Sequence, residues 1–350
     1  MSGTLVRSQS PLTRGKTLSA ARPSPASAKT QSAVVKPEEH AQSDGYIPFK
    51  IRFQAWWEGV EPGAIVRKGQ KQQSVAPERA IELDSEPELP PETILGAARV
   101  RICDQVWGDG FAQPGGATYG LEHAGSFPRG AKSEVLDLSA GLGGRITELA
   151  TENGFKVTGM DRDEELVDYA QQRAELAQLD NVKTITQYNP DRLNLRGLKY
   201  DGIVARDVFF TVPEKLGLMG TIRGGLRQGG ILALTDFVLA EHDQNEGPVM
   251  EQWQETEPVR PMPWSIDEYH DCLTALHFDI LNFEDDTDAY RDLIVSAWHG
   301  FANGLDSNGL DRAFVDALIP EAELWMHRVR ALESGQLRLL KATVCNSRAS

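Results

Sequence analysis

The chain is poor in cysteine. Only Cys103, Cys272 and Cys345 occur among 350 residues. They are widely spaced and odd in number, which argues against a disulfide framework and against a zinc site, so no metal is expected. A reducing compartment is the simpler setting. No apolar run approaches the roughly 20 residues that a membrane-crossing helix needs. Acidic residues are missing from the start of the chain. The first is Glu38, and six Lys or Arg precede it, leaving 30 basic against 51 acidic residues beyond. A body this acidic lacks the clustered Lys and Arg that phosphate contact requires, so nucleic acid is not expected as a partner. Residues 1–45 also contain few large apolar side chains, and they are expected to form a disordered tail. An acid-free, Arg- and Ser-rich start also fits an organellar transit peptide, but it has no apolar core of the secretory kind. A cytoplasmic location is the simpler expectation.

The remaining composition is that of a soluble globular protein, 40% hydrophobic and 25% charged. Residues 46–130 are expected to form an N-terminal cap or lid segment. Within it, 46–60 are aromatic-rich and suited to docking on the main body. Residues 67–92 are polar and rich in Pro and Glu, as in a surface excursion. Ile94, Ala97, Val100 and Val106 give 93–107 a helical spacing. From 133 onward the pattern alternates. Strands are predicted at 133–138, 155–160, 182–187, 200–205 and 229–237, with helices at about 144–153, 163–178 and 214–226. Such alternation with short turns means a parallel sheet with helices on both faces. Beyond 240 a Pro-rich loop (Pro258, Pro261, Pro263) leads to a helix near 266–276. A strand at 278–284, helical segments across 288–334 and a last strand at 336–344 follow. A seventh strand after so long a helical insertion suits antiparallel placement beside the sixth.

The most informative stretch is Val135-Leu136-Asp137-Leu138-Ser139-Ala140-Gly141-Leu142-Gly143-Gly144. An apolar strand runs into a glycine-rich turn and then a helix-compatible run. Gly141 and Gly143 lack the Cβ that would block close approach of a nucleoside. The next strand ends in Asp161, where a carboxylate can accept hydrogen bonds from both hydroxyls of a ribose. These features point to a nucleoside-cofactor enzyme. An NAD-linked oxidoreductase shares them, but the Gly-x-Gly-x-x-Gly pattern is not completed, because Ile146 takes its last position.

Taken in order, the motifs resemble those of the class I S-adenosylmethionine-dependent methyltransferases. The glycine turn is one. Asp161 is the second, and Tyr188-Asn189-Pro190-Asp191 follows the third strand. Tyr200-Asp201-Gly-Ile-Val-Ala205 is the fourth, and Leu226-Arg227-Gln228-Gly229-Gly230 is the turn before strand five. The resemblance spans about residues 95–345. It implies an α/β, Rossmann-like sheet of seven strands, the seventh antiparallel, over 131–345, with a helical lid insertion at 288–334. It implies S-adenosyl-L-methionine as cofactor. The turn at Ser139, Gly141 and Gly143 would approach its amino-acid and ribose parts, and Asp137 would support the turn. Asp161 would bind the ribose and Arg162 would cover the adenine. Asn189 or Asp191 would contact the adenine amino group. Ser139 and Ala140 stand where relatives usually have Gly and Cys.

A narrower likeness lies upstream. Val106-Trp107-Gly108-Asp109-Gly110-Phe111-Ala-Gln113-Pro114-Gly115-Gly116 resembles the segment that closes over the cofactor in phosphoethanolamine-, sarcosine- and similar small-amine methyltransferases. Gln113 and Pro114 depart from that group's small hydroxyl residues. A small-molecule or lipid-headgroup acceptor, with an amine favoured, is therefore expected. Arg206 and Asp207 after strand four would orient it, with Trp107 and Phe210 as an aromatic wall for a cation. His242, His270, His299 and Tyr119 are the possible bases, and none is singled out as catalytic. A catalytically degenerate binding or regulatory protein of the same fold is the alternative.

Overall fold

The computed structural model describes residues 49–61, 64–65, 98–119, 125–128, 133–242, 245–305 and 310–347. The tail expected at 1–45 and the excursion expected at 67–92 lie outside them. Two helices precede the sheet, α1 (Phe49–Trp57) and α2 (Ala98–Trp107). Then β1 (Glu134–Asp137), α3 (Gly144–Thr151), β2 (Lys156–Asp161), α4 (Glu164–Leu176), β3 (Val182–Gln187), β4 (Tyr200–Arg206), α5 (Lys215–Gly225) and β5 (Leu226–Leu239) follow in turn. The chain continues through α6 (Pro248–Thr256), α7 (Ile266–Ala275), β6 (Asp279–Asp285), α8 (Thr287–Gly304), α9 (Arg312–Glu333) and β7 (Leu337–Cys345).

The seven strands form one sheet in the order β3-β2-β1-β4-β5-β7-β6. Strands one to five pair in parallel, and β7 runs antiparallel between β5 and β6, with Leu234 opposite Ala342 and Phe283 opposite Ala342 on the other side. The central strands are apolar because both faces are covered. Along β1, Val135 packs with Ile146, Leu149 and Val167 of α3 and α4. Its neighbour Leu136 packs with Leu218, Ile222 and Leu273 of α5 and α7. Helices therefore cover both faces.

A third apolar cluster joins α1, α2, α6, α8 and α9 to Phe237, Leu239, Leu337 and Leu339. It is aromatic. Trp298 of α8 is fully buried, stacks on Trp57 at 5.0 Å, and meets Trp107 edge-on at 6.2 Å and Phe301 at 5.5 Å. The aromatic stretch expected to dock does so as α1. The expected insertion is the helix pair α8 and α9, which packs with α2 and α6 as a cap. Helix α6 was not anticipated, although Pro248 in its first turn after Gly247, at φ +109°, is a start signal. Among the described residues no helix is long and apolar enough to cross a membrane.

Trp298→Ala should cost about 3–5 kcal/mol, the usual penalty for truncating a buried aromatic. Urea unfolding followed by far-UV circular dichroism measures this, and a loss under about 1 kcal/mol would show that the cap does not pack around this indole.

Candidate active site

Chain order along the sheet reverses between β1 and β4. Open α/β sheets bind ligands at such a point, at the carboxyl ends of the strands. A cleft, partly open to solvent, lies there.

Its floor is the glycine turn, which is held by buried charge. Asp137 is fully buried and receives Arg145 Nε at 2.8 Å and Nη2 at 3.1 Å. Arg145 is only 4% exposed. The Ser139 hydroxyl donates to Asp137 Oδ1 at 3.1 Å, accepts from Arg145 Nη2 at 2.8 Å and accepts the Arg206 N–H at 2.9 Å. The serine that replaces a glycine thus ties β1, α3 and β4 together. Gly141 takes φ +54°, and a Cβ there would enter open cleft, with nothing nearer than 3.8 Å. Such a bare backbone suits a nucleoside's approach. At Gly144 a Cβ would stand 2.7 Å from the Gly110 carbonyl, which accepts the Gly144 N–H at 2.8 Å. The strap 108–116 is therefore laid directly on the turn.

Asp161 lies beside Gly141. Its carboxylate accepts the Gly141 N–H at 2.8 Å and the Asp163 N–H at 3.1 Å. Burial raises its pKa, and the two backbone donors work against that rise. Arg162 donates to the Thr211 hydroxyl at 2.8 Å.

The other half of the cleft is built from the end of β4 and from the cap. Arg206 is fully buried, donates to the Pro114 carbonyl at 2.8 Å and lies 4.7 Å over the Tyr119 ring. Its own carbonyl accepts the Gln113 amide at 3.0 Å, and its Nε and Nη1 have no hydrogen-bond partner. Asp207 takes a left-handed φ of +52° and accepts the hydroxyls of Thr235, at 2.7 Å, and Tyr290. From the cap, Arg328 grips Glu257 with two bonds of 2.7 Å and lies 4.4 Å over Trp325. Arg99 joins Glu321 and Asp163, both at 3.2 Å.

Of the residues singled out in the sequence, Ser139, Gly141, Asp161, Arg162, Arg206, Asp207 and Phe210 line the cleft. Asp137 sits behind the turn. Gly143 caps α3, packed so closely on Ala170 that a Cβ would come within 3.0 Å of its Cα. Asn189 and Asp191 do not line the cleft. Both are exposed, and the Asn189 amide oxygen accepts the Asp191 N–H in a one-turn 3-10 helix. Trp107 is core, packed 4.7 Å from Trp325, and it is Trp325 that lines the cleft. None of His242, His270, His299 and Tyr119 lines the cleft. Sequence reasoning missed Arg99, Arg145, Glu257, Glu321 and Arg328. Only Arg145, directly after the double glycine, carried a local signal.

Arg145→Ala should destabilise the fold by about 3–5 kcal/mol, because Asp137 would stay buried without a cation. Ser139→Gly keeps that pair and should cost only about 1–2 kcal/mol, one hydrogen bond plus added chain freedom. Chemical denaturation of both variants separates them, and equal losses would show that the ion pair does not carry the turn.

Comparison with known proteins agrees with this geometry. A model of the methyltransferase domain family matches residues 130–290. The 27-O-demethylrifamycin SV methyltransferase of Amycolatopsis mediterranei is 29% identical over 151 residues, 39% of this chain and 55% of that protein. Phosphoethanolamine N-methyltransferase 1 of Zea mays is 25% identical over 138 residues, 38% of this chain and 26% of that one. The chain thus matches about half the length of the first and a quarter of the second. Phosphoethanolamine N-methyltransferase 2 of Haemonchus contortus, solved with S-adenosyl-L-methionine, superposes with a TM-score of 0.61 at 14% identity. That match covers 73% of this chain and 58% of the other, and it shows a shared fold. Glycine turn, strand-two carboxylate, antiparallel seventh strand and family match agree: residues 130–290 form a methyltransferase domain of the class I, S-adenosylmethionine-dependent kind.

Proposed function

We propose that the protein transfers a methyl group from S-adenosylmethionine to a small-molecule or lipid-headgroup acceptor, and that the acceptor atom is an amine nitrogen. S-adenosylmethionine, when bound, supplies an electrophilic methyl on a sulfonium. The residues fit it. Asp161 offers the ribose a carboxylate whose place is fixed by two backbone N–H groups, and Gly141 leaves the backbone bare beside it. Arg162, fastened to Thr211, borders the space where the adenine would lie.

The observation that carries the acceptor reading is Asp207. Of the cleft-lining carboxylates, Asp163 and Glu321 meet Arg99, and Glu257 meets Arg328. Asp161 is held by backbone. Asp207 is held by two neutral hydroxyls rather than by an arginine. Its left-handed backbone, a conformation that Asp tolerates, sets its carboxylate at the end of β4. No histidine, cysteine or lysine lines the cleft among the described residues. A phenol or alcohol would need its proton removed before attack, whereas a free amine attacks with its own lone pair. The enzyme's task is then to hold the reactants within about 3–3.5 Å and exclude water.

The degenerate-binder reading rests on Ser139, Ala140 and Asn189 together with the long N-terminal tail. It loses support here, because the Ser139 hydroxyl belongs to the network that builds the turn.

Titration calorimetry with S-adenosylhomocysteine is expected to show binding, and Asp161→Ala should weaken it by about 1–3 kcal/mol, roughly 5- to 150-fold. Unchanged affinity would remove Asp161 from the ribose site. A labelled-methyl screen of amines, quinols, phenols and lipids should then give turnover on an amine. Asp207→Asn should raise KM for that amine about tenfold or more, with cofactor affinity kept. Turnover confined to phenols or quinols would overturn the amine assignment.

A further inference from the structure

Beneath the acceptor half of the cleft lies a polar cluster that the methyl-transfer reading does not use. Asp236, near the end of β5, is fully buried. Its Oδ1 accepts the Phe210 N–H at 3.0 Å, and its Oδ2 accepts the Tyr269 hydroxyl from α7. Lys215, at the start of α5, is equally buried and donates to the carbonyls of Val212, at 2.8 Å, and Met262. The Met262 N–H in turn donates to the Phe210 carbonyl at 2.6 Å. Trp264 and Tyr269 close the cluster edge to face at 5.3 Å, with the Lys215 ammonium 5.4 Å over the Trp264 ring.

Two loops meet on this cluster. One, 207–212, supplies Asp207, Val208, Phe210 and Thr211 to the cleft, and the other, 257–264, supplies Glu257, Pro258 and Val259. Asp236 touches the first through the Phe210 amide. It reaches the second through Tyr269, on which Trp264 packs, and through the shared Phe210–Met262 bond. Thr235, its neighbour in the strand, holds Asp207. We propose that Asp236 is a positioning residue for the acceptor wall, its ionised carboxylate fixing the Phe210 amide and so the separation of the two loops. This rests on the reading that this half of the cleft takes the acceptor.

The chemistry around Asp236 makes the role testable. Burial pushes its pKa up to about 7, and the donors Tyr269 and Phe210 N–H and the Lys215 charge oppose that rise. Asp207 adds to it. Glu268, the other carboxylate on this side, couples to Lys215 instead. A folded pKa above the unfolded one means that the folded state binds the extra proton between about pH 4 and 7. This group's contribution to stability is therefore largest at low pH and is lost as pH rises through about 7. Ionisation at Asp236 thus costs stability, whereas a second acceptor oxygen is gained for Phe210 and Tyr269 together.

Hydrogen exchange on the whole protein, corrected for the intrinsic pH dependence of exchange, tests this directly. Wild-type amides in 208–212 should exchange about tenfold faster at pH 6 than at pH 8, the loss of roughly one hydrogen bond. Asp236→Asn should show the fast rate at both pH values, with a melting temperature at pH 8 no lower than wild type. Tyr269→Phe, which removes one donor and keeps the ring, should move the wild-type step to higher pH. S-adenosylhomocysteine affinity should stay within about twofold in both variants, because other carboxylates hold the cofactor half. Identical exchange in Asp236→Asn and wild type at pH 8 would overturn the proposal, as would a pH step that survives in Asp236→Asn. Loss of S-adenosylhomocysteine binding in the variants alone would reassign Asp236 to the whole cleft. If wild type itself binds none, the cofactor reading falls, while the exchange comparison still decides Asp236.

Discussion

The buried ion pair between Asp137 and Arg145 is the constraint from which the cleft follows. Two charges taken out of water cost several kcal/mol each unless their geometry and remaining hydrogen bonds are nearly complete. Here they are: a forked contact at 2.8 and 3.1 Å, a backbone N–H from Ser139 to Asp137 at 2.9 Å, and the Ser139 hydroxyl between them. Meeting that demand fixes the end of β1, the start of α3 and, through the Arg206 N–H, the end of β4. The Ala140 N–H adds β2, donating to the Met160 carbonyl at 3.0 Å. Three strand ends are thereby tied to one turn at the floor of the cleft. A glycine at 139 would leave Asp137 and Arg145 one partner short. The serine is therefore a local solution to the desolvation of this pair.

The cap is bound to the same point. The strap 108–116 meets the turn at Gly110 and Gly144, a contact too close for any side chain, and meets β4 through the reciprocal bonds of Arg206 with Gln113 and Pro114. Just before the strap stands Trp107, which packs on Trp298 and Trp325. Trp325 also lines the cleft. The cap is thus connected to the glycine turn through the strap.

The sheet was legible in the sequence because its strands obey a local rule. Parallel strands buried on both faces read as apolar runs, and short turns mark their ends. The long helical insertion also announced the antiparallel seventh strand. The turn and Asp161 were legible because close backbone approach and a terminal carboxylate leave fixed spacings. The acceptor half was not. Glu257, Glu321 and Arg328 acquire meaning only when α6, α9 and the loop after α6 converge, at separations such as the 71 residues between Glu257 and Arg328. Asn189 and Asp191 lie off the cleft for a related reason. Asn-Pro-Asp is good turn chemistry, and the chain uses it as a turn. Trp107 had the composition of a ligand wall and the location of a core residue.

Charge pairing decides what the cleft has left to offer. Arg145 is committed to Asp137, Arg99 to Glu321 and Asp163, and Arg328 to Glu257. In a partly dry site these pairs largely cancel one another's fields, because opposite charges about 3 Å apart act on a third group mainly as a dipole. Arg206 and Asp207, successive residues at the end of β4, escape this pairing. Arg206 is turned onto a carbonyl and an aromatic ring, and Asp207 onto two hydroxyls. Neutral partners satisfy hydrogen-bonding capacity without neutralising charge. Two unpaired charges of opposite sign therefore stand side by side where the strand order reverses. On the proposed function, Asp207 is the carboxylate left to accept a hydrogen bond from the acceptor amine. A carboxylate already matched to an arginine, such as Glu257, has no comparable attraction to give.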